Sequence, residues 1–369
     1  MKRMLPVGRS VVCLVFLACL LSSALAGERC RIAFDMGSSG IRAGASNSAV
    51  TRSTEIDYLA ALWSGRGLEA TLPATVSALA ELPATAGFAG DCERVGGGFS
   101  AWRLAGQQDK ERLLTILAQI REATGVAVLV IPQTVEGAYG YFGARQLLGK
   151  GLTTSHVLDI GGGSLQISGA DTSLGEMLGQ KVWYRHLCRA IRGSESAPCH
   201  LQPMSDEEVA IARRLADEKL ARVSHALPAP VTMTAVSRPV SRGVFPALTR
   251  LAAGGSISAS AIDRDGFQFR ALSKAIQRIA PLSSETSTAL VDASPVFGVY
   301  LLSDMLLVEG LLRATGGEYL RVAELDLTNL PGLLADDRAF RWGRHYGCYL
   351  ERLRHLNLDA YHSDAGSCP

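Results

Sequence analysis

The chain has 369 residues, with 37 Lys and Arg against 35 Asp and Glu and a net charge of +2 with His neutral. That balance excludes the strongly basic profile of a nucleic-acid binder. The length suits two domains with their own cores, and the sequence shows neither internal repeats nor low-complexity segments.

The N-terminus reads as an export signal. Lys2, Arg3 and Arg9 form a basic start, Val11 to Leu21 an apolar core, and Ala24-Leu25-Ala26 a small-residue cleavage site. The apolar run is too short for a comfortable membrane span, and no later stretch qualifies. Cleavage after Ala26 removes three basic residues and no acids, leaving a net charge of −1. A rival lipoprotein anchor at Cys19 is disfavoured by the bulky Phe16 before it. The expectation is an exported protein, periplasmic or secreted, with domains over 27–136 and 137–330 and a helical tail with a cysteine segment over 331–369.

Six cysteines follow the signal: Cys30, Cys92, Cys188, Cys199, Cys348 and Cys368. An even count in an exported chain points to disulfides. Sequence leaves the pairing open; the sequential pairs Cys30–Cys92, Cys188–Cys199 and Cys348–Cys368 are favoured. The rival for the middle pair is a zinc site with His186 and His200, which has unusual spacing and competes with oxidation.

Residues 29–46 read as a hairpin whose first strand ends in Asp35, followed by Gly37-Ser38-Ser39-Gly40 and then Arg42. Residues 51–67 are unclear, and 68–82 reads as a helix limited by Pro73 and Pro83. Residues 93–101 read as a strand in which Gly96, Gly97 and Gly98 signal a close backbone approach, with Trp102-Arg103 after it. Arg103 is a candidate phosphate ligand because a guanidinium matches phosphate oxygens two at a time. Residues 109–124 form a helix capped by Asp109 and ended by Gly125. Residues 126–131 form a continuously apolar strand of the kind buried in a parallel sheet. Past Pro132 a helix runs to about Leu148 and carries Glu136 in its first turn.

His156 to Ile160 is a buried strand closing on Gly161-Gly162-Gly163-Ser164. Three glycines leave no Cβ in the way, so their N–H groups can close on an anion, and Ser164 can donate a further hydrogen bond. Asp159 sits at that strand end as Asp35 does at the first, and a carboxylate there can hold a metal ion directly or through water. Residues 171–204 read as irregular. Ser205 opens a capping box for a helix to about His225, 231–236 is a strand, and 237–243 a loop whose Arg238 and Arg242 rank low as cleft residues. Residues 258–279 are mostly helical with a break near Asp265-Gly266, 298–315 is an apolar helix, 320–323 a short strand, and the tail is helical from about Ala335.

Strands, a crossover helix and the same plan repeated make a duplicated α/β pattern. Asp35-Met-Gly-Ser-Ser-Gly-Ile-Arg42 and Asp159-Ile-Gly-Gly-Gly-Ser164 resemble the two phosphate-binding turns of the actin-like ATPase superfamily. Within it the chain looks most like the exopolyphosphatase / guanosine pentaphosphate phosphatase (Ppx/GppA) family. Ser100-Ala-Trp-Arg-Leu-Ala105 resembles that family's arginine motif, and Val135-Glu-Gly-Ala138 the segment with its catalytic glutamate. Ser39 and Gly40 depart from a usual Asn-Ser, Gly137 from a usual alanine, and the expected Gly-rich nucleotide loop near 231–240 is poorly matched. Export, disulfides and the first and fourth motifs also resemble the secreted apyrases, although Ala89 stands where their second motif expects arginine.

The resemblance implies two actin-like (ribonuclease H-like) α/β domains with a phosphate-binding cleft between them, and hydrolysis of a terminal phosphoanhydride. Glu136 would orient or deprotonate the attacking water. Asp35 and Asp159 would hold Mg²⁺ or Ca²⁺. Gly37, Ser38, Ser39, Gly161, Gly162, Gly163 and Ser164 would cradle phosphate, and Arg42 and Arg103 would neutralise it. The expected partner is a phosphorylated small molecule or a polyphosphate chain, with neither nucleic acid nor a stable membrane span; a homodimer is compatible with this reading. The rivals are a secreted nucleoside tri/diphosphatase and a non-catalytic phosphate- or nucleotide-binding relative.

Overall fold

The computed structural model describes residues 30–194, 199–227, 230–325 and 329–368. The expected signal peptide over 1–26 and the rival anchor at Cys19 lie outside the described residues. Among the described residues, no helix is long and apolar enough to cross a membrane.

Two sheets organise the chain. The first comprises β1 (Arg31–Met36), β2 (Gly40–Ala45), β3 (Thr51–Glu55), β4 (Glu93–Gly98) and β5 (Ala127–Val130), in the order β3-β2-β1-β4-β5. The second comprises β6 (His156–Ile160), β7 (Leu165–Ser168), β8 (Ser173–Glu176), β9 (Met233–Ala235), β10 (Ile262–Asp263), β11 (Gly266–Gln268) and β12 (Tyr319–Val322), in the order β10-β11-β12-β9-β6-β7-β8. In each, the leading strand pairs antiparallel with the strand after its glycine turn and parallel with the strand beyond a helical crossover. The run β8-β7-β6-β9-β12 repeats β3-β2-β1-β4-β5, so the fold is a duplicated α/β unit. β5 forms the parallel edge of the first sheet and is buried at all four residues, as a parallel strand covered on both faces must be.

The helices that position the site are α1 (Tyr58–Trp63), α2 (Ser100–Gln108), α3 (Lys110–Thr124), α4 (Gln133–Leu148), α5 (Gln180–Arg192) and α6 (Leu301–Thr315). Asp109 caps α3, its side chain accepting from the Arg112 N–H, and Gly125 ends it at φ 71°. The Ser205–Glu208 capping box is present on a helix over Asp206–Lys219.

Several expected elements shift. The strand expected over 93–101 stops at Gly98, and Ser100 to Gln108 is helical, which turns Arg103 from a strand end into a buried helix residue. The stretch read as irregular contains β8 and α5; Trp183 and Leu187, one turn apart, are buried, and the remaining face of α5 is too polar to mark a helix. The break near Asp265-Gly266 is the turn of the β10–β11 hairpin.

The division expected between Glu136 and Gly137 falls inside α4. The C-terminal helices Leu330–Ala335, Asp337–Arg344 and Tyr346–Leu356 return to the first sheet, and Leu330, Phe340, Trp342 and Tyr349 belong to its core. The disulfides Cys30–Cys92, Cys188–Cys199 and Cys348–Cys368 are formed, so the cysteines of the rival zinc site are paired.

Candidate active site

The two glycine turns meet. In the first, the Gly37 N–H donates to the Gly40 carbonyl at 3.0 Å; in the second, the Gly161 N–H donates to the Ser164 carbonyl at 2.9 Å. A Cβ on Gly162 would collide with Ser38 Oγ, and one on Gly163 would lie 2.8 Å from Ser100 Oγ. The two halves therefore approach closely here, and a side chain on either glycine would need these serine hydroxyls to turn away. The second turn is held from behind: its Gly161 and Gly162 carbonyls accept from the N–H groups of Gln180 (2.9 Å) and Lys181 (2.8 Å), and Gly179 packs bare backbone against it. Ser38 and Ser164 are buried, whereas Ser39 is exposed.

Glu136 follows from β5 and Pro132. Pro132 ends the strand, α4 begins at Gln133, and the fourth residue of that helix lands between the turns. Its carboxylate is buried and ion-pairs with Arg103 at 2.6 Å. Arg103, 2% exposed, also donates to the Ile131 carbonyl at 2.8 Å and to Ser164 Oγ at 3.1 Å. One guanidinium thus ties together the β5 end, the acid and the second glycine turn. Burial pushes the Glu136 carboxyl above its usual range, and Arg103 opposes that shift. Glu136 Oε2 has no well-directed hydrogen bond despite the ion pair, so acceptor capacity remains for a water.

Asp35 and Asp159 end the two leading strands. Burial pushes the Asp35 carboxyl up to about 7; Arg42 and Arg238 lower it, and Glu136 and Asp159 raise it further. Two carboxylates and two guanidiniums therefore act electrostatically on Asp35. Arg42 is directly opposite Asp35 in the β1–β2 register, which puts both side chains on one face. An Asp35 carboxyl raised by burial and by the neighbouring Glu136 and Asp159 belongs to a donor set that a divalent cation fits, because its charge relieves the repulsion and oxygen is its preferred ligand.

Residues 109–290, which include Glu136 and the second glycine turn, match the model of the Ppx/GppA phosphatase family. The chain belongs to the Ppx/GppA family. Its fold is similar to that in two solved Aquifex aeolicus structures, one of the type II variant of the Ppx/GppA phosphatase (16% identity, 83% of this chain and 98% of that one, TM-score 0.58) and one of the PPX-GPPA enzyme (16%, 84% and 99%, 0.61). It is also similar to an exopolyphosphatase from Cytophaga hutchinsonii (14%, 83% and 96%, 0.57). These likenesses are of the fold, which is the two-sheet actin-like ATPase arrangement. No curated protein matches the chain.

As a Ppx/GppA protein, the chain departs from the alanine expected after the glutamate, and at this glycine α4 lies close against the second sheet. A Cβ on Gly137 would collide with the hydroxyls of Ser168 on β7 and Ser173 at the start of β8. Three positioning features escaped the sequence. Arg238, ranked low, acts on Asp35, and it lies at the start of a π-helical turn over Pro239–Val244. Arg242, ranked with it, ion-pairs with Glu324 instead. Gln180 and Asp304 support the second glycine turn: Gln180 Nε2 donates to the buried Asp304 Oδ2 at 2.6 Å. The π-helical turn, common at functional sites, leaves no trace in hydrophobic periodicity, and Asp304 reads as an isolated acid in an apolar helix.

Proposed function

We propose that this protein is an exported phosphoanhydride hydrolase releasing terminal phosphate from polyphosphate or a related phosphorylated chain. The observation that carries this is Glu136, a buried carboxylate held by Arg103 beside two facing glycine turns. Phosphoryl transfer needs positioning and charge neutralisation more than a covalent nucleophile. In the proposed reaction water attacks the terminal phosphorus, its proton passes to a Glu136 oxygen, and the bond to the bridging oxygen breaks. The shortened chain leaves on that oxygen and orthophosphate is released.

The raised affinity of Glu136 for a proton suits it to accept one from water near neutral pH. Amides of Gly37, Ser38 and Gly161 to Ser164 are preorganised donors to the developing charge, and Ser39 lies at the open lip. Arg42 faces the terminal phosphates beside Asp35, while Arg103 reaches the phosphate site through Ser164 and orients Glu136. Asp35 and Asp159 would hold Mg²⁺ or Ca²⁺, which when bound neutralises phosphate charge. The three disulfides support an oxidising compartment and hence export.

The test is phosphate release by the oxidised protein with Mg²⁺ or Ca²⁺, long-chain polyphosphate being run beside ATP, GTP and ADP. Release from polyphosphate with little from nucleotides is expected, and chelation should abolish it. Preferential release from nucleotides would move the assignment to a nucleoside tri/diphosphatase. No release from any substrate would make the protein a binder.

A further inference from the structure

We infer that Arg238 is a substrate-binding residue of the proposed hydrolysis, its guanidinium taking the phosphate next to the terminal one, on the leaving side of the bond that breaks. This rests on the hydrolase reading and deepens it, because the second phosphate of the chain becomes part of what the site recognises. The second sheet places the residue. β9 runs parallel to β6 with Ala235 opposite Leu158, and the Val236 N–H donates to the Leu158 carbonyl at 3.0 Å. The chain therefore leaves β9 at the level of Asp159, and Ser237-Arg238 follow at the strand end that also carries the second glycine turn. Ligands of parallel α/β sheets bind at such carboxyl ends. No glycine occurs over 231–240, so a side chain and not bare backbone is offered here.

The order of the strands sets which side Arg238 takes. β6 lies between β7 and β9. Glu136 belongs to the β7 side, because Gly137 beside it meets Ser168 on β7 and Ser173 on β8. Arg238 belongs to the β9 side. A phosphoryl group seated at the turn between them has the acid on one flank and a guanidinium on the other. The attacking and leaving oxygens of phosphoryl transfer lie roughly in line across phosphorus, so Arg238 faces the departing oxygen. Its charge reaches the centre of the site, since it lowers the Asp35 carboxyl at the end of β1. It is exposed, and among the described residues its side chain makes no ion pair, whereas Arg242 is tied to Glu324. The backbone beneath it is fixed: the Val240 and Ser241 N–H groups donate to the Ser237 carbonyl at 3.1 and 3.0 Å, and Pro239 is buried. A guanidinium held this way matches two oxygens of one phosphate. When the terminal P–O bond breaks, its electron pair passes to the bridging oxygen, and Arg238 meets the charge that develops there.

The test compares the wild-type protein with Arg238→Ala and Arg238→Lys on tripolyphosphate and long-chain polyphosphate across a Mg²⁺ series, with free guanidinium added below denaturing concentration. Arg238→Ala is expected to lower kcat by roughly a hundredfold or more, the cost of one lost donor to developing charge. KM changes much less, because that charge exists only in the transition state. Saturating Mg²⁺ leaves the loss in place, free guanidinium restores part of the rate to the alanine variant and adds nothing to wild type, and Arg238→Lys keeps an intermediate rate. Thermal melts report the fold, and should the alanine variant melt early, the lysine variant carries the comparison. A wild-type kcat in the variants, or a loss that saturating Mg²⁺ abolishes, would overturn the assignment and leave the hydrolase reading standing; the second result would confine Arg238 to tuning Asp35. If the wild-type protein releases phosphate from neither substrate, the hydrolase reading falls and the assignment with it.

Discussion

Gly137 follows Glu136 on α4, and its missing side chain lets the helix lie against the Ser168 and Ser173 hydroxyls, which bond each other at 3.1 Å. A single methyl could be met by turning those hydroxyls; a branched side chain could not. Gly137→Val should therefore destabilise by about 1–3 kcal/mol through overpacking. It should lower turnover by about a hundredfold, the cost of roughly 1 Å of misplacement. Denaturant unfolding and kcat check both, and a wild-type rate in this variant would detach the α4–β7 contact from catalysis. Asp304 yields a second residue-scale prediction. Its Oδ1 is buried without a partner, and burial pushes its carboxyl well above the usual range, with the Gln180 bond opposing. A carboxyl raised in the folded state contributes most below its unfolded pKa of 3.8, and that contribution is lost as pH rises toward the folded value. Asn at this position keeps the acceptor for Gln180 and cannot ionise. The stability advantage of Asp304→Asn over wild type should therefore grow between pH 5 and pH 8 in urea unfolding; a pH-independent difference would contradict the account.

At the scale of elements, α4 is clamped on two sides. Gly137 faces the second sheet, while Tyr139, two residues and about half a turn further on, is held by the C-terminal tail. Tyr139 OH donates to Asp336 Oδ2 at 2.7 Å and lies 2.6 Å from Tyr361 OH, and Gly332 packs directly on Tyr139. The disulfide Cys348–Cys368, spanning a sequence separation of 20, ties down that tail. Cys348→Ser/Cys368→Ser should cost about 3 kcal/mol through the longer reach of the unfolded chain. It should also slow turnover, because Asp336 and Tyr361 position α4. A thermal melt beside kcat separates the two effects, and lost stability with an unchanged rate would place the clamp outside the mechanism. This contact was not legible in the sequence. Chain order sets the tail after the second half, and only its large apolar residues, Phe340, Trp342 and Tyr349, show that it needs a core; which core is decided by the fold.

For the whole molecule, the duplication was legible because each half opens on a strand, an acid and a glycine turn. Asp35 and Asp159 could be paired on that pattern alone, and Glu136 stood out as an acid just past a buried strand and a proline. The meeting of the turns was not legible, since it depends on Gly162 approaching Ser38 from the other half. Helix α5 was missed because its buried stripe is narrow, although it supplies the backing of the second turn. Arg103 was found by its motif, but its bracing of Glu136 required the helix that begins at Ser100. These contacts converge on one acid, so the most direct measurement is phosphate release from polyphosphate by Glu136→Gln beside wild type, with polyphosphate binding measured on both. A loss of roughly a hundredfold or more in rate, the scale of a positioned acid–base group, with folding and binding retained, is the result this account predicts. Near-normal turnover in the variant would contradict it and remove Glu136 from the mechanism.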